Sequence, residues 1–597
     1  MLVAVLHSKS KLLVTRFDDL HPRLKQTMVF EFRSLVGVSM AVWFRIGKYV
    51  TLFCAVVILA ACAQPEADDV DIAPPIVTLS PDNPVAVTGG QIRGSHSEAN
   101  PDVMVFKGLP FAAAPTGELR WRAPGPVEAW SGVRDATTAG PICIQDGAED
   151  LTQSEDCLFL NVWAPAETSE LLPVMVWIHG GGYTGGSGST SLYDGTSFVS
   201  RDVVLVSINY RLNVFGFMAH PALSAESEHD ASGNYGLMDM VASLEWVRDN
   251  IASFGGDADR VTIFGESAGA GAVMSLMLMP QSDGLFHRAI AQSNWVNGWD
   301  RQLREAVGDW DSAEAQGVQL TEALGASGET ALVAMRAATA AEVKAAAQAG
   351  LGDYFVRTGY VWAPNVDGWT IPEDPLLMYD AGQQHNVPLI TGMNGNEGSL
   401  MTQQMQIGDV DAFESHVRSV YPSIAEKALE HYQATSNESA RAAIDHLIHD
   451  MFFAGPVRTQ ATTHVKVTSP VWLYHFTRVP PTDWGAGMGS HHAAELVYVF
   501  GTMTPRGTSP KEAPLGLTTE GDWTETDRQL SETMMDYWVQ FASTGNPNRD
   551  GLPQWTEFDG LTNHHLVLGD QVGENTGLHD GGANLFAAFE EHRRTGM

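Results

Sequence analysis

Arg260-Val261-Thr262-Ile263-Phe264, then Gly265-Glu266-Ser267-Ala268-Gly269, then a small-residue run to Met279, is the stretch on which the fold turns. The apolar, β-branched segment predicts a strand, and Ser267 to Met279 predicts a helix. A G-x-S-x-G pentapeptide alone recurs by chance. Between a strand and a helix it marks a sharp turn that lifts a serine hydroxyl clear of the backbone. Glycine at both flanks avoids collision there, and the helix that follows points its positive end at any oxyanion formed beside the serine. A hydroxyl needs a neighbouring base before it attacks. Ser267 is therefore the candidate nucleophile, weighed against the blander reading of a serine in an ordinary turn.

Outward from this point the same alternation continues. Pro173–Ile178 and Val203–Ile208 are continuous apolar runs, the pattern of strands buried on both faces. Leu237 to Ile251 carries apolar residues at helical spacing, Val471–Phe476 predicts a late strand, and Met534 to Phe541 a C-terminal helix packed back on the sheet. Ser312 to Ala349 and Ala412 to Phe453 predict helical insertions above it. Strands alternating with helices imply an α/β fold with a large, mostly parallel central sheet flanked by helices.

Directly after the 173–178 strand stands His179-Gly180-Gly181-Gly182. Acyl transfer passes through a tetrahedral oxyanion that needs two or three aimed N–H donors, and glycines let a backbone come close enough to supply them. Gly181, Gly182 and Ala268, the residue after the serine, are the candidate donors. A phosphate-binding loop is the rival reading, but the Lys-Ser/Thr ending and the G-x-G-x-x-G spacing are missing.

The chain has 597 residues, 44% hydrophobic and 18% charged, with a net charge of −36. Such an acidic balance argues against nucleic acid and anionic membrane surfaces as partners. The N-terminus reads as an address. Arg45 and Lys48 precede a mostly apolar run too short to span a bilayer comfortably. The run ends Leu59-Ala60-Ala61-Cys62, which resembles a bacterial lipobox, with Cys62 the lipidated residue. On this reading Met40 is the natural start and residues 1–39 are a mis-called or unstructured extension. Residues 40–62 are then a lipoprotein-type signal peptide, 63–82 an acidic, proline-containing linker and 83–597 the enzyme domain. The protein is expected to be exported and tethered to a membrane only by that lipid. Cys143 and Cys157 remain as an even pair in a secreted context, a candidate disulfide rather than two free thiols.

Several longer motifs give a specific resemblance. Phe106-Lys-Gly-Leu-Pro-Phe111, Gly117-Glu-Leu-Arg-Trp-Arg-Ala-Pro124, Ser154-Glu-Asp-Cys-Leu-Phe-Leu-Asn161 and Phe264-Gly-Glu-Ser-Ala-Gly-Ala270 resemble signatures of the type-B carboxylesterase family, over residues 83–597. The resemblance implies an α/β-hydrolase fold and a small-molecule carboxylic ester as substrate. It also selects partners for the serine that composition could not choose. Asn394-Gly-Asn-Glu-Gly398 resembles the segment carrying the family's acid, at Glu397. Gly489-Ser-His-His-Ala-Ala-Glu495 resembles the histidine segment, with His492 as base and His491 as a loop-surface neighbour. Arg120 with Glu155 and Arg211 with Asp239 are implied to be structural ion pairs, and Cys143–Cys157 the family's first disulfide. Glu266 is open between tuning His492 and being a merely satisfied buried carboxyl.

No cofactor is called for, and no H-E-x-x-H or similar spacing suggests a metal. The loop Ile144 to Asp156 has no aromatic residue, unlike the choline-binding loop of cholinesterases, so a choline-ester specialist is not expected. Trp295 and Trp299 are as well suited to the pocket wall as to the core or rim. The same machinery would serve amide, thioester or toxin-ester hydrolysis. A silent adhesion member of the family would lack a triad residue, and none is missing here. Oligomeric state is not legible.

Overall fold

Leu172–Ile178 has no exposed position, and the sheet is built around it. The computed structural model describes residues 3–8, 11–16, 77–294, 301–307, 311–349, 362–405, 407–507 and 519–595. The signal-peptide segment with Cys62, the linker up to residue 76, and Trp295 and Trp299 lie outside the described residues. The chain divides into Met1–Ala73 and Pro74–Met597. In the first unit Val3–Ser8 pairs antiparallel with Lys11–Arg16, within the extension expected to be mis-called or unstructured. Its strands read VAVLHS and KLLVTR, Val- and Leu-rich runs of the kind that pair.

Among the described residues of the second unit the main sheet has eleven strands. In chain order these are β1 (Ser95–His96), β2 (Val103–Pro110), β3 (Phe159–Pro165), β4 (Leu172–Ile178), β5 (Val204–Ile208), β6 (Gly256–Glu266), β7 (Arg288–Gln292), β8 (Leu389–Asn394), β9 (Val471–Phe476), β10 (His565–Leu568) and β11 (Gly573–Asn575). Across the sheet they lie β11-β10-β9-β8-β7-β6-β4-β5-β3-β2-β1. From β5 to β10 every neighbour is parallel. Antiparallel strands close both edges. The fold is thus the expected α/β-hydrolase arrangement, a mixed sheet whose parallel centre carries the long apolar strands.

Alternate side chains of a strand face opposite ways, and here they feed two cores. Val174, Val176, Ile178, Val261 and Ile263 belong to one; Met175, Trp177 and Phe264 belong to the other. Helices α1 (Tyr235–Asn250), α2 (Ala268–Leu276), α3 (Asn437–His449), α4 (Gly455–His464), α5 (Glu525–Thr544) and α6 (Asp580–Thr595) surround the sheet. Leu237, Met240 and Leu244 of α1 enter the first core. Leu530, Met534 and Trp538 of α5 enter the second.

Two expectations need adjustment. The C-terminal helix expected at 534–541 runs from Glu525 to Thr544, because Thr524 and Asp527 cap it reciprocally: the Thr524 N–H donates to Asp527 Oδ2 at 2.8 Å. The folded region also reaches upstream of residue 83, since Val77–Thr78 pairs with Glu167–Thr168 and the Leu79 N–H donates to the Ala166 carbonyl at 2.8 Å. The insertions are helical as expected, at Ala313–Ala323, Ala331–Ala337 and Ala340–Ala349, and again from Val410 through α3. Phe413, Val417, Ile444 and Leu447 of the second insertion share a core with Leu585 and Phe586 of α6.

Three crosslinks brace the loops of this unit. Cys143 and Cys157 are disulfide-bonded, 14 residues apart. Arg120 donates to both Glu155 carboxylate oxygens at 2.6 Å and also to the Met335 and Ala338 carbonyls. Arg211 grips Asp239 through two bonds of 2.8 and 2.7 Å, both side chains almost wholly buried. Removing one member of such a pair strands the other charge in a dry interior. Asp239→Ala should therefore lower unfolding stability by about 3–5 kcal/mol, read as the shift in a urea midpoint. Cys143→Ser with Cys157→Ser should cost about 3 kcal/mol, the loop-closure figure for a loop of this length; an unchanged midpoint would refute it.

Candidate active site

β6 ends at Glu266, and Ser267 follows with φ 57° and ψ −122° before α2 begins at Ala268. This left-handed conformation is costly for a residue with a side chain, and the surroundings impose it. The Ser267 N–H donates to the Gln292 carbonyl at the end of β7, 2.9 Å away. A Cβ on Gly269 would stand 2.1 Å from the Ile178 carbonyl oxygen, and one on Gly265 2.6 Å from the Gly269 backbone. Only glycine allows strand and helix to close on each other here. Ala268 is the first residue of its helix, so its N–H has no intrahelical acceptor.

The glycine loop abuts the same turn. A Cβ on Gly180 would lie 2.7 Å from the Glu266 carbonyl oxygen and 3.1 Å from Ser267 Cβ. His179 stacks on Tyr210 with ring centroids 4.4 Å apart. Burial pushes its pKa down to about 4, so the ring is neutral. Its Nδ1 binds the Gly180 carbonyl at 2.8 Å. In a trans peptide the next N–H points opposite to the carbonyl, so the Gly181 N–H is turned away from His179. The Gly181 carbonyl likewise accepts from Thr184 and Gly185, turning the Gly182 N–H the other way. Gly181 and Gly182 reach this geometry at φ 105° and 64°.

Glu397 and His492 come from loops beyond β8 and β9. The two loops are stitched together: the Asn396 N–H donates to the Ser490 carbonyl at 2.8 Å, and Asn394 Nδ2 to the His491 carbonyl at 2.9 Å. His492 Nδ1 meets Glu397 Oε2 at 2.6 Å. The other Glu397 oxygen accepts from Ser293 Oγ at 2.7 Å and from the Asn394 N–H at 2.6 Å. Burial opposes the Glu397 carboxylate, but His492 and these donors outweigh it and hold the pKa below its usual value. On the far side of the ring, His492 Nε2 is 3.1 Å from Glu266 Oε1, a contact not aligned as a hydrogen bond. Glu266 adjoins Ser267 in the chain, so His492 Nε2 is brought to the nucleophile's turn. Phe453 packs against the imidazole at 4.8 Å.

The charges are strongly coupled. Burial disfavours the His492 imidazolium, but Glu266 and Glu397 outweigh it and raise the pKa to about 9. Burial pushes Glu266 up to about 8, against the pull of His492. A third carboxylate, Glu495, is buried nearby, accepting from Gln292 Nε2 at 2.9 Å and Asn394 Nδ2 at 2.6 Å.

Ser267, Glu397, His492, Ala268 and the glycine loop thus gather at one end of the parallel strands. His491 is not a surface residue: it is 5% exposed, its Nδ1 on the His492 carbonyl at 2.8 Å, because the strained turn at Ala493 (φ 65°) folds the loop inward. The supporting roles of Ser293, Asn394 and His449, whose Nδ1 accepts the Glu397 N–H at 3.2 Å, were not anticipated. Ser293 directly follows Gln292 at the end of β7, but no local pattern marks it.

Comparison with known proteins identifies the family. The carboxylesterase family model matches residues 81–581. A fumonisin B1 esterase of Sphingopyxis macrogoltabida is 35% identical over 511 residues, 84% of this chain and 90% of that protein. A para-nitrobenzyl esterase of Bacillus subtilis is 33% identical over 497 residues, 81% of this chain and 94% of its own. A solved PNB esterase structure superposes with a TM-score of 0.70 at 31% identity, covering 84% of this chain and 99% of that one. The chain belongs to the carboxylesterase family.

Proposed function

We propose that the chain hydrolyses small carboxylic esters through an acyl-enzyme on Ser267, with His492 as general base and Glu397 as its orienting acid. The observation that carries this is the His492 clamp: Nδ1 bound to Glu397 at 2.6 Å and Nε2 presented beside Glu266 at the nucleophile's turn. Glu397 keeps the ring's proton on Nδ1, so Nε2 offers a lone pair to the Ser267 hydroxyl. As Oγ attacks the ester carbonyl, Nε2 takes its proton and returns it to the departing alcohol. The oxyanion is stabilised by the N–H groups of Gly181, Gly182 and Ala268. Water then attacks the acyl-enzyme with the same base, and Ser267 leaves as the alcohol. Relatives named for fumonisin B1, para-nitrobenzyl and cocaine esters support the ester class and differ widely in substrate.

The N-terminal address supports an exported lipoprotein, with Arg45 and Lys48 ahead of the apolar run that ends at Cys62. The Cys143–Cys157 disulfide suits an oxidising compartment.

Three outcomes test these readings. On p-nitrophenyl acetate, Ser267→Ala should lower kcat by at least ~10³-fold, and Glu397→Gln by on the order of 10⁴-fold through loss of the productive tautomer. Folded Ser267→Ala protein with wild-type turnover would refute the assignment. His492 must be neutral to act, so kcat/KM should rise with pH through the imidazole pKa. Glu266→Gln removes an anion that raises that pKa, and should shift the rising limb to lower pH; a shift to higher pH would exclude this electrostatic role. If Cys62→Ser leaves processing and membrane association unchanged, the lipoprotein reading fails.

A further inference from the structure

Behind Glu397, on the side away from His492, the fold gathers a second polar cluster. α3 runs from His449 into a π-helical turn, Asp450–Ala454, and His579 meets it just ahead of α6. One ligand atom from each of His449, Asp450 and His579 lies within 4.8 Å of the others. His579 Nδ1 is 3.1 Å from Asp450 Oδ1. Asp450 Oδ2 is held by the Tyr432 hydroxyl at 2.7 Å. His449 is 2% exposed, and because its Nδ1 accepts the Glu397 N–H, its Nε2 is the free atom, buried without a partner among the described residues. The three residues line a cavity of about 500 Å³ that exposed His431 and His446 also border, which gives solvent a way in. A Cβ on Gly582 would stand 1.9 Å from Asp450 Oδ2, so a glycine makes room for this carboxylate.

We infer that His449, Asp450 and His579 bind a divalent transition-metal ion of the zinc type, and that its binding restrains the esterase through Glu397. Two imidazoles and one carboxylate suit zinc, whereas calcium and magnesium prefer oxygen throughout. Ligands about 2.1 Å from a tetrahedral ion sit roughly 3.4 Å apart. Closing the cluster to that spacing needs shifts of about 1 Å, which half-exposed His579 can supply by rotating. Tyr432 orients Asp450 as an outer partner, and water from the cavity completes the coordination.

The link to Glu397 follows from the tautomer. With Nδ1 accepting the Glu397 N–H, the ring's proton sits on Nε2. A metal ion can bind Nε2 only through that nitrogen's lone pair, so binding requires the proton to pass from Nε2, by way of cavity water, to Nδ1, where it faces the Glu397 N–H, donor against donor. The hydrogen bond is lost and the acid loop is displaced. This coupling rests on Glu397 being the acid; the metal site does not.

Untagged full-length protein, stripped with chelator, is titrated with zinc chloride by calorimetry, and with cobalt for its visible absorption. The expected result is one zinc per chain, a cobalt spectrum of tetrahedral character, and affinity at least tenfold weaker in His579→Ala. Zinc at saturation should lower p-nitrophenyl acetate turnover several-fold in the native chain and leave His579→Ala unaffected. Absence of saturable zinc binding, or equal affinity in His579→Ala, overturns the site. Zinc binding that is lost in His579→Ala while native turnover never changes overturns the coupling. A chain that binds zinc as described but hydrolyses no ester refutes the esterase reading and leaves the site standing.

Discussion

The site depends on one backbone reversal, Ser267 held in a left-handed conformation between β6 and α2. A non-glycine residue there costs of order 1–3 kcal/mol and persists only where its surroundings over-determine it. β6 lies between β4 and β7, both parallel to it, and the Gly265–Gly269 contact leaves α2 one way to dock. The strain is therefore borne by the sheet, and the serine is presented at the strand ends whether or not substrate is bound. The glycine loop is held in place by the same contacts, since Gly180 touches both Glu266 and Ser267.

Around this fixed point the protein buries three glutamates beside His492, and treats each carboxyl differently. Glu397 is given a hydroxyl, an N–H and an imidazole. Glu495 is given two amides. Glu266 has its Oε1 without an aligned partner among the described residues, and burial raises its pKa against the pull of His492. Asn394 serves two of them at once, its N–H on Glu397 and its side chain on Glu495. The last residue of β8 thereby fixes where one carboxylate ends and the next begins.

Much of this was legible in the sequence. Strands β4, β5, β6 and β9 announce themselves as apolar runs because burial on both faces leaves no place for polar residues. The serine turn is legible because glycine is required on both sides of it. Glu397 and His492 could be placed only by resemblance, since no local rule distinguishes them from other acids and histidines. The burial of His491 and the support from Ser293 were not legible, because both arise from contacts between loops far apart in the chain. The His449–Asp450–His579 cluster is the extreme case: metal-ligand spacing in a sequence is a local signal, and here a loop before α6 supplies the third residue.

The order of these elements along the chain has a consequence in time. Ser267 and the glycine loop leave the ribosome early, but the imidazole that activates the serine lies at residue 492, and its strand β9 must pair with β8 before the ring meets Glu397. Domains complete themselves as synthesis proceeds from the N-terminus. A nascent chain therefore carries its nucleophile through the whole stretch that separates Ser267 from His492 without a base to arm it. The acyl-transfer site is completed only when that single late side chain arrives.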